Sequence, residues 1–135
     1  MRQQLVLAIF LVSLVAAGAA MASSTHHVSG TLQPVGGSGV SGTVELTALP
    51  HGGTQITVVA NGLQPGTEYV SLYYDNGTCE LEPYSADDVI GRYTAGPSGR
   101  ATVTAKLDDD LDEIHSISVR LGSDFSLLSC AAVNQ

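Results

Sequence analysis

The chain has 135 residues, a formal net charge of −8, 13% charged side chains, two cysteines and no tryptophan. That length allows one domain of ordinary size. The acidic balance opposes nucleic acid and anionic lipid surfaces, so neither is an expected partner.

Residues 1–22 read as an export signal. Arg2 gives a short basic start, residues 5–15 are an almost unbroken apolar run, and Ala20-Met21-Ala22 fits the small-x-small pattern cleaved by signal peptidase. The apolar stretch falls short of the ~20 residues that cross a bilayer. Cleavage after Ala22 predicts a mature chain of 113 residues, secreted or periplasmic, with no membrane insertion of its own.

Residues 23–39, rich in Ser, Gly and Thr and ending in Gly36-Gly37-Ser38-Gly39, are expected to form a flexible N-terminal arm, with the folded domain over 40–135. Val44, Leu46 and Ala48 alternate with Thr43, Glu45 and Thr47, as a strand with one buried face requires. A second strand over 54–60 puts Ile56 and Val58 on one face and pairs with the first as a hairpin. The aromatic and branched stretch 68–74 predicts a third, ended by Asp75-Asn76-Gly77. Residues 80–91, with Pro83, Asp87 and Asp88 and no clean period, read as a loop crossing between sheets. Segments 91–95 and 100–107 flank Gly96-Pro97-Ser98-Gly99 as a second hairpin, and strands over 115–121 and 126–133 close the chain. The expected fold is all-β: an antiparallel Greek-key sandwich or flattened barrel of seven to eight strands.

In an exported chain Cys79 and Cys130 are expected to form a disulfide that ties the cross-sheet loop to the C-terminal edge. There is no Cys-x-x-Cys spacing that would signal a redox-active pair.

The layout resembles the copper/zinc superoxide dismutase sandwich, with chordin-type domains a close alternative. The resemblance runs over most of residues 40–133. It is carried by Val40-Ser41-Gly42-Thr43-Val44, Gly62-Leu63-Gln64-Pro65-Gly66, Thr94-Ala95-Gly96-Pro97-Ser98-Gly99-Arg100-Ala101 and Leu128-Ser129-Cys130-Ala131. Both cysteines fall where that family places its intrachain disulfide. The resemblance also assigns metal positions, and this sequence departs at each. Ser71-Leu72-Tyr73 stands where the family has a His-x-His copper pair. The stretch 80–91 has no histidine for zinc, only Asp87 or Asp88 near the family's aspartate. Arg120 stands at the last copper histidine and Leu127 at the active-site arginine. The resemblance therefore implies the sandwich without the metal chemistry, and no cofactor.

Other candidates compete with plainer readings. His26 and His27 lie near the mature N-terminus, where a free amine and a histidine at the third position bind Cu(II); cleavage one residue later would create Ser24-Thr25-His26. His51 and His115 read as solvent-facing. Asp108, Asp109, Asp110, Asp112 and Glu113 crowd five carboxylates into six positions, a weak calcium candidate without an EF-hand glycine, or a solvated loop. Asn76-Gly77-Thr78 is a glycosylation pattern and equally a turn. On alternation, Tyr69 and Tyr73 share one face and Tyr74 the other. Tyr73, Tyr74, Tyr84 and Arg120 are the expected partner surface.

The sequence thus points to an exported, non-catalytic β-sandwich serving as a binding or structural module for a protein or cell-surface ligand. The alternative is a copper- or zinc-binding protein outside the cytoplasm, with a residual superoxide dismutase ranked after it.

Overall fold

A computed structural model describes residues 26–134. The export segment 1–22 and the start of the expected arm lie outside the described residues. Eight strands follow one another: β1 (His27–Pro34), β2 (Ser41–Ala48), β3 (Thr54–Asn61), β4 (Glu68–Tyr74), β5 (Val89–Thr94), β6 (Ala101–Leu107), β7 (Ser116–Leu121) and β8 (Leu127–Ala132). All pairings are antiparallel, in the order β5-β4-β7-β8-β1-β2-β3-β6. The β1–β8 junction is only a short ladder, Gln33 opposite Cys130 and Pro34 opposite Ser129, so the ribbon folds there into two facing sheets. The all-β flattened barrel with one disulfide is as the sequence indicates.

The hairpin of β2 and β3 forms with Val44 opposite Val58 and Leu46 opposite Ile56, all four buried. These join Leu32, Val40, Ile114, Ile117, Val119 and Ala131 in the main core between the sheets. A smaller cluster of Val70, Leu72, Tyr74 and Cys79 lies on the other face of β4.

Three expectations are corrected. The arm is not loose throughout, because residues 27–34 form β1 between β8 and β2. Its inward positions are Val28, Gly30 and Leu32, and the glycine hides the alternation. A Cβ on Gly30 would sit 2.9 Å from Val133 Cγ1 and 3.1 Å from Val44 Cγ2, so the missing side chain is what lets β1 approach its neighbours. Next, the loop after β4 does not cross between sheets: β5 returns to pair with β4, Glu68 opposite Thr94 and Tyr69 opposite Tyr93. The crossing occurs instead at Gly96-Pro97-Ser98-Gly99, where β5 ends one edge and β6 starts on the opposite edge beside β3. The turn itself closes, Gly99 N donating to Gly96 O at 3.0 Å, but its two strands form no ladder with each other and pair elsewhere. Lastly, Cys130 lies on an internal strand flanked by β7 and β1, not on an edge.

The Cys79–Cys130 disulfide is formed, with the cysteines 51 positions apart in sequence. It fastens the loop 75–88 over the outer face of the β5-β4-β7-β8 sheet. No helix among the described residues is long and apolar enough to cross a membrane.

Candidate ligand-binding site

Register gathers several connections at one end of the barrel. His27 pairs with Thr47, Thr54 with Leu107, and Tyr74 with Ser116, so the β2–β3 turn, the β6–β7 segment and the start of the β4–β5 loop emerge together. Two depressions lie among them, with the acidic segment 108–113 between.

The smaller is a cleft of about 160 Å³ lined by Leu72, Tyr73, Tyr74, Asp75, Glu82, Pro83, Tyr84, Asp88 and Asp109. That volume suits one side-chain head and is below the usual range for drug-sized ligands. Tyr73 and Tyr74 end β4 and are anchored from below: Tyr73 Oη donates to Asp87 O at 3.0 Å, and Tyr74 Oη pairs with Ser118 Oγ at 2.7 Å. Tyr84 is 46% exposed and stacks on Phe125 with ring centroids 5.6 Å apart. The short turn Ala86–Asp88 is capped reciprocally, Ser85 N donating to Asp88 Oδ2 at 2.9 Å and Asp87 N to Ser85 Oγ at 3.3 Å. That capping fixes Asp88 at the cleft wall. Burial first, then the negative charges of Asp109 and Asp88, hold the Tyr73 phenol above its ordinary pKa, so it stays neutral.

The larger depression is an open groove of about 850 Å³. Val28, Ala48, Leu49, Pro50 and Leu111 give it an apolar floor, and His26, Thr47, Asp110, Asp112 and Asn134 bring polar groups.

The acidic segment is a fastened ridge. Asp110 Oδ1 accepts from Gly53 N at 2.9 Å, Glu113 Oε2 from Asp110 N at 3.0 Å, and Thr54 Oγ1 donates to Asp109 O at 2.8 Å. Two of its carboxylates therefore hold backbone in place. Among the described residues no three His, Cys, Asp or Glu side chains are gathered as a cation site would need, here or elsewhere.

The expected partner surface is corrected in part. Tyr73, Tyr74 and Arg120 are only 6%, 7% and 7% exposed, leaving Tyr84 as its one open member. The three tyrosines nevertheless converge on the cleft, while Arg120 lies beneath. Its Nε donates to Tyr74 Oη at 2.9 Å, Nη1 to Phe125 O at 2.7 Å and Nη2 to Cys79 O at 2.7 Å. The guanidinium carbon is 5.9 Å from the Tyr74 ring centre. A buried guanidinium with a bond from each of its three nitrogens is an anchor, not a contact surface.

The positions mapped to metal chemistry do not form one site. Tyr73 and Ser71 face the main core, Ser71 Oγ pairing with Tyr93 Oη at 2.7 Å. Arg120 faces the opposite side of the sheet, across from Val70 on β4 and Leu127 on β8. A cation, a leucine and two groups on the wrong face do not fit a copper or zinc ion there. The histidines also separate: His26 lines the groove, whereas His27 Nε2 meets Glu45 Oε2 at 2.5 Å and its Nδ1 meets Thr47 Oγ1 at 3.1 Å. His51 is exposed and His115 half-buried. Asn76 organises its loop, Oδ1 accepting from Glu80 N at 2.9 Å and from Thr78 N at 3.1 Å.

Asp75 and Glu82 in the cleft, and Leu49, Pro50 and Leu111 in the groove, are missing from the sequence-based candidates, and Asp88 enters them only through its place near the family's aspartate. Acids interleaved with tyrosines over 73–88 were a legible hint for the cleft. Nothing in the sequence brings Asp109 to them.

No protein-family model matches the chain, and no curated protein does. Solved structures do. The Cu(II) form of superoxide dismutase 5 from Candida albicans is similar at 12% identity and a TM-score of 0.53, covering 81% of this chain and 91% of that one. A point mutant of the same enzyme gives 12% identity and a TM-score of 0.49 over 81% and 88% of the two chains. At such identity the likeness concerns architecture: this chain has a superoxide dismutase-like β-sandwich.

Proposed function

We propose that the protein is an exported, non-catalytic binding module whose cleft receives the cationic head of a partner's arginine or lysine. The observation that carries this reading is the convergence of Tyr73, Tyr74 and Tyr84 with Asp75, Glu82, Asp88 and Asp109 on one small cavity. Aromatic faces and carboxylates are the two kinds of group that attract organic cations. Carboxylates spaced around a wall suit a guanidinium or ammonium better than a metal ion, which needs its donors gathered. The net charge of −8 would speed encounter with a basic partner. The disulfide supports a working place outside the cytoplasm. The non-enzyme reading rests on Arg120 and Leu127, which occupy positions where the resemblance would need a metal ligand and an anion-guiding arginine.

The test is a titration with N-acetylarginine amide followed by NMR. Amide shifts centred on Tyr84, Asp88 and Asp109 are expected, fading as salt rises, and several-fold weaker binding in Tyr84→Ala and Asp75→Asn. No shifts, or shifts centred elsewhere, would end the reading. Dialysis against copper and zinc with elemental analysis runs alongside. One copper retained per chain would replace the module with a metal carrier, and His26 and His27 would be the first residues to mutate.

A further inference from the structure

Residues 109–112 form a ridge with one depression on each side. Asp109 lines the cleft, while Asp110, Leu111 and Asp112 line the groove. The two depressions therefore share a wall about four residues long. Their characters differ. The cleft is small, polar and aromatic; the groove is about five times larger by volume, roughly 850 Å³ against 160 Å³, open, and floored by apolar side chains from three separate stretches of chain. Among the described residues nothing covers this floor, and although Leu111 itself is buried, the groove offers an apolar surface on which a partner's side chain can lie. No lysine or arginine lines either depression, and Asp112, at the groove lip, makes no hydrogen bond or ion pair among the described residues.

On the strength of the cation cleft proposed above, we infer that cleft and groove are two halves of one site for an extended peptide segment of a partner protein, a basic side chain entering the cleft and an apolar side chain lying in the groove. Charge complementarity chooses this occupant: the two depressions carry Asp75, Glu82, Asp88, Asp109, Asp110 and Asp112 and no lysine or arginine among the described residues, so an apolar group arrives most favourably on a chain that also carries positive charge. Shape points the same way. Two open depressions side by side accept a chain lying across the surface, whereas a small ligand is normally enclosed by a single pocket. The ridge between them separates the two anchors by a few residues of extended backbone, at ~3.3 Å per residue. Register would come from the cleft and selectivity for the apolar residue from the groove.

The experiment uses the full exported chain and fluorescent peptides holding one arginine and one leucine separated by zero to four glycines. Control peptides replace the leucine by serine or the arginine by citrulline. At one spacing the arginine–leucine peptide should bind at least tenfold more tightly than its serine control. Leu49→Ser should abolish that advantage while leaving the serine control's affinity unchanged; Asp75→Asn should weaken both peptides. If leucine adds nothing at any spacing, or Leu49→Ser has no effect on the preference, the two-part site falls and the arginine cleft stands. If the arginine peptides do not bind at all, both readings fall. Tight binding of a single-chain alkylamine with every peptide silent would replace the peptide by a small amphiphile and likewise sink the proposal.

Discussion

On the inner face of β4 and β7, Tyr69, Ile117 and Val119 pack into an apolar core filled from both sheets. On the outer face of the same two strands, Val70, Leu72 and Tyr74 meet no second sheet. They are covered by the loop 75–88, whose residues 80–87 are all exposed and offer little apolar surface in return. Directional bonds replace burial there. Cys79 is tied to β8 by the disulfide, its amide donates to Ser116 Oγ at 3.0 Å, and its carbonyl accepts from Arg120. Cys79 and Phe125 both hold left-handed backbone, with φ of 55° and 61°, a conformation that costs a residue with a side chain about 1 kcal/mol or more. Arg120 bonds the carbonyl of each. A sheet can thus bury its second face under a small apolar cluster, provided a few strong bonds hold the cover in place.

The sharpest way to break this comparison is to remove the outer face's covalent tie. Replacing both cysteines by alanine reopens a loop spanning 51 positions, which the chain-entropy account puts at about 4 kcal/mol. Urea unfolding should show the loss. Hydrogen exchange should show it concentrated in residues 75–88, with β2 and β3 keeping their relative protection. Uniform loss of protection would mean that the two faces are not separable.

Arg120→Leu comes next. It leaves the buried carbonyl of Cys79 and the partly buried carbonyl of Phe125 without their donor, at a cost of about 3 kcal/mol. Arg120→Lys should recover less than half of that, because an ammonium on a flexible stem does not reproduce the planar fork that spans the two carbonyls and the tyrosine. Denaturation midpoints of the two variants measure this. Full rescue by lysine would show that charge alone, and not geometry, holds the loop.

The same contrast explains what could be read from sequence. Strands filled by ordinary side chains announce themselves: Leu46, Ile56 and Val58 give β2 and β3 their period, and 68–74 marks β4. Strand β1 escaped because close approach at Gly30 is made by a missing side chain, which leaves no apolar letter to count. The crossover at residues 96–99 escaped because a tight turn fixes local direction and says nothing about which neighbours its two strands find. The tyrosines singled out from the sequence, Tyr73, Tyr74 and Tyr84, line one cleft, whereas Arg120, singled out with them, lies beneath Tyr74. Asp109 meets Asp75, Glu82 and Asp88 through the fold alone, since it comes from the opposite side of the chain's crossover.

Tyr93 sharpens the comparison from the inner side. Burial pushes its phenol up to about 12, partly offset by its bond to Ser71. The folded chain then keeps a proton that the unfolded chain releases, so this stability is complete below pH 10 and is lost as pH climbs towards 12. The loss is at most about 2 kcal/mol for a group not wholly enclosed. Tyr93→Phe should cost about 1 kcal/mol at pH 7, where Ser71 loses its partner. It should also flatten the fall in stability between pH 10 and 12. Tyr73, raised as well, leaves a residual slope. An unchanged alkaline profile in the variant would place the titrating group elsewhere.

The smallest effect probes a buried hydroxyl of the inner face that, unlike that of Ser71, has no partner among the described residues. Ser129 lies opposite Val119, completely buried, and its hydroxyl has no hydrogen-bond partner among the described residues. An unpaired buried hydroxyl is a cost that alanine removes while leaving most of the packing intact. Ser129→Ala should therefore leave stability unchanged or raise it by about 1 kcal/mol, read from the urea midpoint at constant slope. A loss of more than about 1 kcal/mol would mean that the hydroxyl finds a partner in solution. The inner face would then depend on a second directional bond beside that of Ser71 and Tyr93, and the difference between the two faces would be one of degree.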